Sequence, residues 1–307
     1  MRQVLAKGAH SAVYIDDENP NIIIKVPDPK DGAYIQRQMK GFHLVDSIKE
    51  ANVGGVLLPE LIEIKEEGGV SCLYEKKLAG VCLGAPVWQG LSEVQKNNIA
   101  RKIAVFLNSM HSCGSYESSN KLQELVKSHS RLVNADEIIA QFDGTLPKNI
   151  EGQLRKSEAY LQGADKSDEV IVMTHSDMRS QNILYDAQTD NVAILDFELA
   201  KPDNVYRDFI PFAAASIGMP WDFTRRVIAY YNQLPNKKYP IHIDEKKVQN
   251  GLFYGAVHEY ARCLNFHRIN TDTRYYQRIT DKLELITGLP LKPGGKVLPP
   301  NGKAPRD

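Results

Sequence analysis

The sequence predicts an α+β protein with two lobes, in which a small antiparallel sheet is followed by a larger, mainly helical lobe. Three observations predict this fold class. Residues 1–79 are patterned as strands with short turns, the pattern becomes helical after Gly80, and two short apolar strands return inside the helical part. With 307 residues and a hydrophobic share of 42%, the chain is long enough for two lobes with separate cores.

The N-terminal lobe is expected at residues 1–79. Apolar segments rich in β-forming residues lie between turn-forming residues there, which is typical of strands. These segments are QVLAKGAHSAVYI, NIIIKVP, VLLPELIEIKEE and GVSCLYEKK. Between the second and the third, apolar residues recur at helical spacing from Tyr34 to Ile48. One helix is therefore expected to interrupt the sheet.

The C-terminal lobe is expected at residues 80–289. It opens with a helix for which Ser92 is the predicted N-cap. The apolar face of this helix consists of Ile99, Ile103, Phe106, Leu107 and Met110. A polar helical stretch at roughly residues 120–164 precedes the apolar strands EVIVMTH and NVAILDF and a helical C-terminal region. Residues 290–307 favour a flexible tail, because a segment rich in proline, glycine and charge buries too little apolar surface.

Charge and cysteine content argue against several classes of protein. Lysine plus arginine equals aspartate plus glutamate at 38 each, so no net field favours binding to nucleic acid or to an anionic membrane. The four cysteines contain no C-x-x-C pair, which indicates neither a zinc ribbon nor a disulfide framework. No apolar stretch of about 18 residues predicts a membrane span. We expect a cytoplasmic protein, although an exported bacterial effector would have the same composition.

The strongest chemical signal is the segment THSDMRSQNILYDAQTDNVAILDFE. It contains an H-x-D-x-x-x-x-N sequence and, fourteen residues after the asparagine, a second aspartate. Phosphoryl transfer needs a carboxylate that accepts the proton of an attacking hydroxyl, and oxygen ligands for the magnesium ion on the nucleotide phosphates. We predict Asp177 as the catalytic base and Asn182 and Asp196 as the metal ligands. The alternative is that these side chains only shape turns.

On these residues the sequence resembles the aminoglycoside phosphotransferase and choline kinase branch of the protein-kinase-like superfamily. The resemblance covers roughly residues 5–290 and is strongest at 175–210. It implies a bilobal protein-kinase-like fold, ATP and Mg²⁺ as cofactors, and transfer of the γ-phosphate to a hydroxyl group. Protein kinases carry D-F-G, A-P-E and H-R-D motifs. Neither D-F-G nor A-P-E is found here, and Ser176 replaces the arginine of H-R-D, which favours a small-molecule kinase.

The resemblance also implies a nucleotide site in the first lobe. Gly8 and Ser11, in the segment GAHSAVY, match a hairpin that covers the ATP phosphates. Lys25, after three isoleucines, matches the lysine that contacts the α- and β-phosphates. The stretch CLYEKKLAG resembles the hinge between the lobes, where backbone groups around Glu75 and Lys77 would meet the adenine edge.

One position departs from the family pattern. Where a helix glutamate would hold the lysine, this chain has Gln38, with Gln36 as the neighbouring alternative. An amide can hydrogen-bond an ammonium group but brings no charge. The ion pair is therefore weaker or takes its acid from elsewhere, with Glu50 as one candidate.

The resemblance assigns roles to three further residues. Asp208 is expected to brace the catalytic loop, and His111 to be a packed structural histidine. Glu198, close to Asp196 in sequence, is the best single candidate for contact with a cationic acceptor or with the metal shell.

The acceptor stays open at this point. The aromatic and acidic residues of segment 211–288 can cage an amino alcohol, but the many lysines and arginines of the same segment do not form an acidic trough. An amino alcohol, a sugar, an antibiotic and a protein hydroxyl all remain candidates. The leading hypothesis is a small-molecule hydroxyl kinase. The alternatives are a divergent protein kinase, such as a bacterial effector, and a nucleotide-binding pseudokinase.

Overall fold

The structure is a computed structural model that describes residues 2–7, 10–49, 54–113, 134–142, 144, 146, 148–164, 170–210, 220–235 and 241–265. Gly8, Glu50 and the predicted tail at 290–307 lie outside the described residues. The same holds for parts of the predicted helical stretch at 120–164 and of the C-terminal region.

The described chain forms strands, α-helices and two 3₁₀ turns. In chain order the strands are β1 Val4–Lys7, β2 Ser11–Ile15, β3 Ile22–Pro27, β4 Val56–Leu57, β5 Leu61–Glu67, β6 Val70–Lys76, β7 Val81–Cys82, β8 Ile171–Thr174, β9 Ile183–Asp186, β10 Asn191–Ile194 and β11 Lys201–Asn204. The α-helices are α1 Tyr34–Lys49, α2 Ala85–Gly90, α3 Glu93–Ser112, α4 Ala135–Ala140, α5 Lys148–Gly163, α6 Trp221–Gln233 and α7 Glu245–Asn265. The 3₁₀ turns are Ser180–Asn182 and Val205–Asp208.

The first part of the chain builds a five-stranded antiparallel sheet in the order β1-β2-β3-β6-β5. The predicted helix is present as α1, and it buries Tyr34, Phe42, Val45 and Ile48 on one face. Gly41, on the same face, approaches the backbone of Phe197 so closely that an added Cβ would lie 3.0 Å from the Phe197 carbonyl. The prediction of a small antiparallel sheet interrupted by one helix is confirmed.

Two smaller sheets carry the strands around the predicted catalytic segment. One has the order β4-β10-β9-β7, in which β10 runs parallel to β4 and antiparallel to β9. The other pairs β8 with β11. The two predicted apolar strands, now β8 and β10, therefore belong to different sheets, and the chain between them folds back as β9.

Helices form most of the remaining core. Ser92 caps α3, as predicted, and the structure adds a capping box with Gln95. The predicted apolar face of α3 is fully buried, and it packs into the largest core with residues of α6 and the small sheets. A second core joins α4, α5 and α7. No helix within the described ranges is long and apolar enough to cross a membrane.

Candidate active site

The predicted catalytic base lies in the loop between β8 and β9. This loop ends in the 3₁₀ turn Ser180–Asn182, in which the Asn182 amide N–H donates to the Arg179 carbonyl over 2.9 Å. The turn brings the Asn182 side chain back toward Asp177. Its Nδ2 donates to Asp177 Oδ2 over 2.8 Å and to the Asp177 carbonyl over 3.0 Å. Two of the three predicted catalytic groups are thus in direct contact.

A buried aspartate holds the start of this loop. Asp208 is fully buried, and it accepts hydrogen bonds from the backbone N–H groups of His175 at 2.9 Å and Ser176 at 2.8 Å. His111 Nε2 lies 3.0 Å from the same carboxylate, and His111 Nδ1 lies 2.8 Å from the Tyr231 hydroxyl. These contacts confirm the predicted structural roles of Asp208 and His111.

Asp196 lies two residues after the end of β10, and its neighbour Leu195 is hydrogen-bonded to the catalytic loop. The Leu195 N–H donates to the Asn182 carbonyl over 2.8 Å, and His175 Nε2 lies 2.9 Å from the Leu195 carbonyl. Asp196 has a positive φ of 64°, which is uncommon outside glycine. Such backbone strain is concentrated at functional sites. Its Oδ1 is buried, and among the described residues it has no hydrogen-bond partner.

These residues suit a magnesium ion. Mg²⁺ prefers hard oxygen ligands and usually takes one or two from the protein, completing its shell with water and substrate phosphates. Asn182 and Asp196 carry such oxygens, and the unpartnered buried Oδ1 of Asp196 needs compensation of the kind that a cation gives. The structure shows no cluster of three His, Cys, Asp or Glu side chains arranged around a metal position in its described part, so most of the shell would come from phosphate and water.

Burial and neighbouring charges shift the pKa values of two carboxylates at this site, those of Asp177 and Glu198. Burial raises the pKa of Asp177, and the nearby Arg179 guanidinium opposes this rise. Burial, followed by the charge of Asp196, also raises the pKa of Glu198. A carboxylate with a raised pKa is a better proton acceptor, which is the property that a general base requires.

Lys25 is held by a strand and not by the helix. Its Nζ lies 2.8 Å from Glu75 Oε1, and both side chains are buried. Burial is the largest single influence and would lower the pKa of Lys25, but the electrostatic interactions with Glu75, Tyr34 and Asp196 together outweigh it, and the pKa is raised. Gln38 instead donates from Nε2 to Glu198 Oε2 over 3.1 Å. The acid that the sequence left open is therefore Glu75.

Lys25, Gln38 and Asp196 line one small pocket between the large sheet and the segment after β10. The other lining residues are Gly41, Phe42, Val45, Pro59 and Phe197. This pocket brings the predicted phosphate lysine to the predicted metal aspartate. Residues more than 170 positions apart in sequence are thus joined at one site.

The remaining residues predicted to contact the nucleotide are Ser11, Glu75 and Lys77. Ser11 begins β2, and its Oγ accepts a hydrogen bond from the Tyr34 hydroxyl over 3.1 Å, which links the hairpin to the start of α1. Glu75 lies in β6 between β3 and β5, so its backbone is enclosed by sheet partners and its side chain makes the contact. The Lys77 N–H donates to the Asn21 carbonyl over 2.7 Å. The predicted adenine contact of backbone groups around Glu75 and Lys77 stays a prediction.

Two contacts of the site were missed from the sequence. The Glu75 side chain had been given no role, because its pairing with Lys25 depends on the register of two strands about fifty residues apart. The Arg179 Nη2 lies 2.8 Å from Asp177 Oδ2, and the Arg179 side chain is 45% exposed. Its position two residues after Asp177 in the same loop was the signal that could have identified it.

Comparison with known proteins gives a consistent result. A sequence model of the phosphotransferase enzyme family matches residues 2–236. No curated protein matches the chain. Among solved structures, the GDP complex of aminoglycoside 2'-phosphotransferase-IIIa has a TM-score of 0.66 at 15% identity and covers 92% of each chain.

Two further structures have the same fold. Spectinomycin phosphotransferase in complex with ADP and spectinomycin has a TM-score of 0.55 at 14% identity, over 94% of this chain and 88% of that one. An ethanolamine kinase from Plasmodium vivax has a TM-score of 0.50 at 16% identity, over 93% and 81%. These likenesses confirm the predicted kinase-like fold, and the family match confirms the predicted phosphotransferase. This chain belongs to the phosphotransferase enzyme family.

Proposed function

We propose that this protein uses ATP and Mg²⁺ to transfer the γ-phosphate to a hydroxyl group of a small molecule. The observation that carries the proposal is the contact of Asp177 with Asn182, in a loop whose backbone is hydrogen-bonded to the segment of Asp196. This contact supports a site made of the proposed base, an amide oxygen and a buried carboxylate oxygen that has no hydrogen-bond partner among the described residues. Phosphoryl transfer needs groups of these kinds, a base for the attacking hydroxyl and oxygen ligands for the metal.

Each residue has a defined role in this proposal. Asp177 accepts a hydrogen bond from the acceptor hydroxyl and takes its proton as the oxygen attacks the γ-phosphorus, while the bond between the γ-phosphorus and the bridging oxygen breaks and ADP leaves. Asn182 orients the Asp177 carboxylate and, with Asp196, would hold the metal. Lys25 contacts the α- and β-phosphates, and Ser11 lies at the hairpin above them. Bound Mg²⁺ supplies charge neutralisation on the phosphate oxygens.

The division of labour between the lobes is also part of the proposal. Residues 1–79 form the nucleotide-binding lobe and residues 80–289 the catalytic and acceptor-binding lobe. The base and metal ligands come from the second lobe, while the phosphate lysine comes from the first. The cytoplasm, which supplies ATP and Mg²⁺, is the proposed place of action.

A small molecule is the acceptor class that the comparisons support best. Structures of similar fold were solved with spectinomycin or kanamycin bound, and another is an ethanolamine kinase. In addition, no protein-kinase activation segment follows Asp196 in the sequence. These points favour a hydroxyl on a compact polar molecule.

The test is magnesium-dependent phosphate transfer from radiolabelled ATP to separate pools of amino alcohols, sugars, aminoglycosides and cell-lysate proteins. Labelling in one small-molecule pool is the expected result, and fractionation of that pool then identifies the acceptor. Labelling confined to lysate protein would replace the proposal with a protein kinase. ATP binding without transfer to any pool would indicate a pseudokinase.

A further inference from the structure

The ion pair of Lys25 with Glu75 has unusual surroundings. The side chains are only 14% and 4% exposed, and their charged atoms are 2.8 Å apart. Within the described part of the chain, Tyr34 of α1 and Asp196 after β10 interact electrostatically with the ammonium, and Gln38 lines the same pocket. A buried ammonium is costly without a partner, so a neighbouring acid must compensate its charge. Among the residues that the structure describes, Glu75 is the only acid in direct ion-pair contact with Lys25.

Helix α1 does not supply the compensating acid. Asp46 is the single acidic residue in its sequence, and its side chain is 72% exposed and 3.6 Å from Lys49. Gln38 lies in the pocket but directs its amide N–H to Glu198. The helix therefore contacts the segment after Asp196 through Gln38, whereas Lys25 is paired with an acid of strand β6.

The register of the sheet fixes the pair. Lys25 is opposite Leu73 on β6, and Glu75 is opposite Ile23 on β3. Positions two apart on a strand share a face, so Lys25 and Glu75 are diagonal neighbours on one face of the sheet. Both ends of the ion pair thus belong to two strands joined by backbone hydrogen bonds. Its geometry does not depend on where α1 lies.

We propose that Glu75 is the positioning residue for Lys25, and that this chain holds its phosphate-binding lysine from within the sheet and not from the helix. The inference rests on the proposed function, because Lys25 contacts the phosphates there. Without the Glu75 carboxylate, the ammonium keeps the electrostatic attraction of Asp196, which lines the same pocket. Lys25 would then turn toward the metal position and away from the phosphates.

The test compares the affinities of ATP and adenosine by titration calorimetry in the presence of Mg²⁺. The variants are Glu75→Gln, Lys25→Gln, their combination, and Glu75→Asp. Glu63→Gln is a matched control, because Glu63 pairs with Lys65 at 2.7 Å on the neighbouring strand but is largely exposed. Adenosine has no phosphate, so its affinity reports whether the lobe is folded and the adenine-binding site is intact.

We expect Glu75→Gln to weaken ATP binding by about tenfold or more, since a charge-assisted contact is lost, with little change for adenosine. In the Lys25→Gln background the same substitution should have no further effect, and Glu75→Asp should recover part of the loss. A purely structural role would weaken adenosine binding equally and would persist without Lys25.

Two results would overturn the inference alone: ATP affinity of Glu75→Gln equal to that of Glu63→Gln, or full additivity of the two substitutions. Failure of the unaltered chain to bind ATP would instead overturn the proposed function, and the inference with it. If Glu75→Gln does not fold, Glu75→Asp in the presence and absence of Lys25 provides the same comparison.

Discussion

At the scale of single residues, the buried Asp208 holds the start of the catalytic loop through hydrogen bonds to its backbone. It lies outside the loop, yet its carboxylate accepts hydrogen bonds from two backbone N–H groups of the loop and contacts His111. The Asp208 side chain is fully buried. Ser176, one of the two donors, has a positive φ of 65°. The carboxylate therefore stabilises a backbone conformation that the loop sequence alone disfavours.

The substitution Asp208→Asn tests this dependence. An amide can accept at only one of the two oxygen positions, so a buried N–H loses its partner. We expect the free energy of unfolding to fall by about 2–4 kcal/mol, and turnover to fall as well because Asp177 moves. Denaturant unfolding measures the first effect. The control is Asp46→Asn on the exposed side of α1, which should change stability by less than about 0.5 kcal/mol. Equal effects of both variants would contradict the assignment.

The sequence was informative about residues whose contacts are local. Asp177 and Asn182 are five positions apart in one loop, so a local sequence pattern was enough to select both residues, which are in contact in the structure. Lys25 and Glu75 could not be paired in this way, because a shift of one residue in the register of β3 and β6 would place them on opposite faces. The Gln38 amide likewise contacts Glu198, 160 positions away. Long-range register and packing, not composition, decide such contacts.

At the scale of elements, α1 packs directly against the segment that follows Asp196 and forms one side of the pocket. Gly41 allows this contact, because any Cβ there would meet the carbonyl carbon and oxygen of Phe197 at 3.0 Å. Phe197 follows Asp196 directly. The position of the helix is therefore coupled through one glycine to the backbone of the proposed metal ligand.

The substitution Gly41→Ala should consequently behave unlike an ordinary helix substitution. Alanine normally stabilises a helix interior by about 0.5–1 kcal/mol relative to glycine. At Gly41 we expect no gain or a loss of about 1 kcal/mol or more, together with weaker binding of magnesium–ATP. Gly152→Ala in α5 is the matched control, because its Cβ meets nothing within 4 Å and should give the ordinary gain. Paired denaturant unfolding curves measure both; a similar gain at both sites would refute the close contact.

Elements with strong local patterns were predicted well. The N-cap at Ser92, the buried face of α3 and the strands of the large sheet follow from spacing and turn residues. The assignment of β8 and β10 to different sheets did not follow, because each is a short apolar run with no partner specified by its own sequence. Pairing was decided by β9, which folds back on β10, and by β11, which covers β8.

At the scale of the whole molecule, nucleotide and metal binding should stabilise the fold. A ligand that binds only the folded state, at 100-fold over its dissociation constant, contributes about 2.7 kcal/mol. We expect magnesium–ATP to raise the melting temperature of the unaltered chain and to have little effect on Asp196→Ala. Each variant is compared with its own ligand-free melting temperature, since replacement of a residue at positive φ has its own cost. Equal shifts in both proteins would exclude Asp196 as a metal ligand.

The central claim is that Asp177 is the base of a phosphotransferase, and turnover of Asp177→Asn tests it most directly. The measurement is the rate of magnesium-dependent phosphate transfer to the acceptor pool that the unaltered chain labels, with the dissociation constant of ATP determined on the same preparations. The account predicts that turnover falls by about 10²- to 10⁴-fold while ATP affinity is retained. Unchanged turnover in the variant would contradict it.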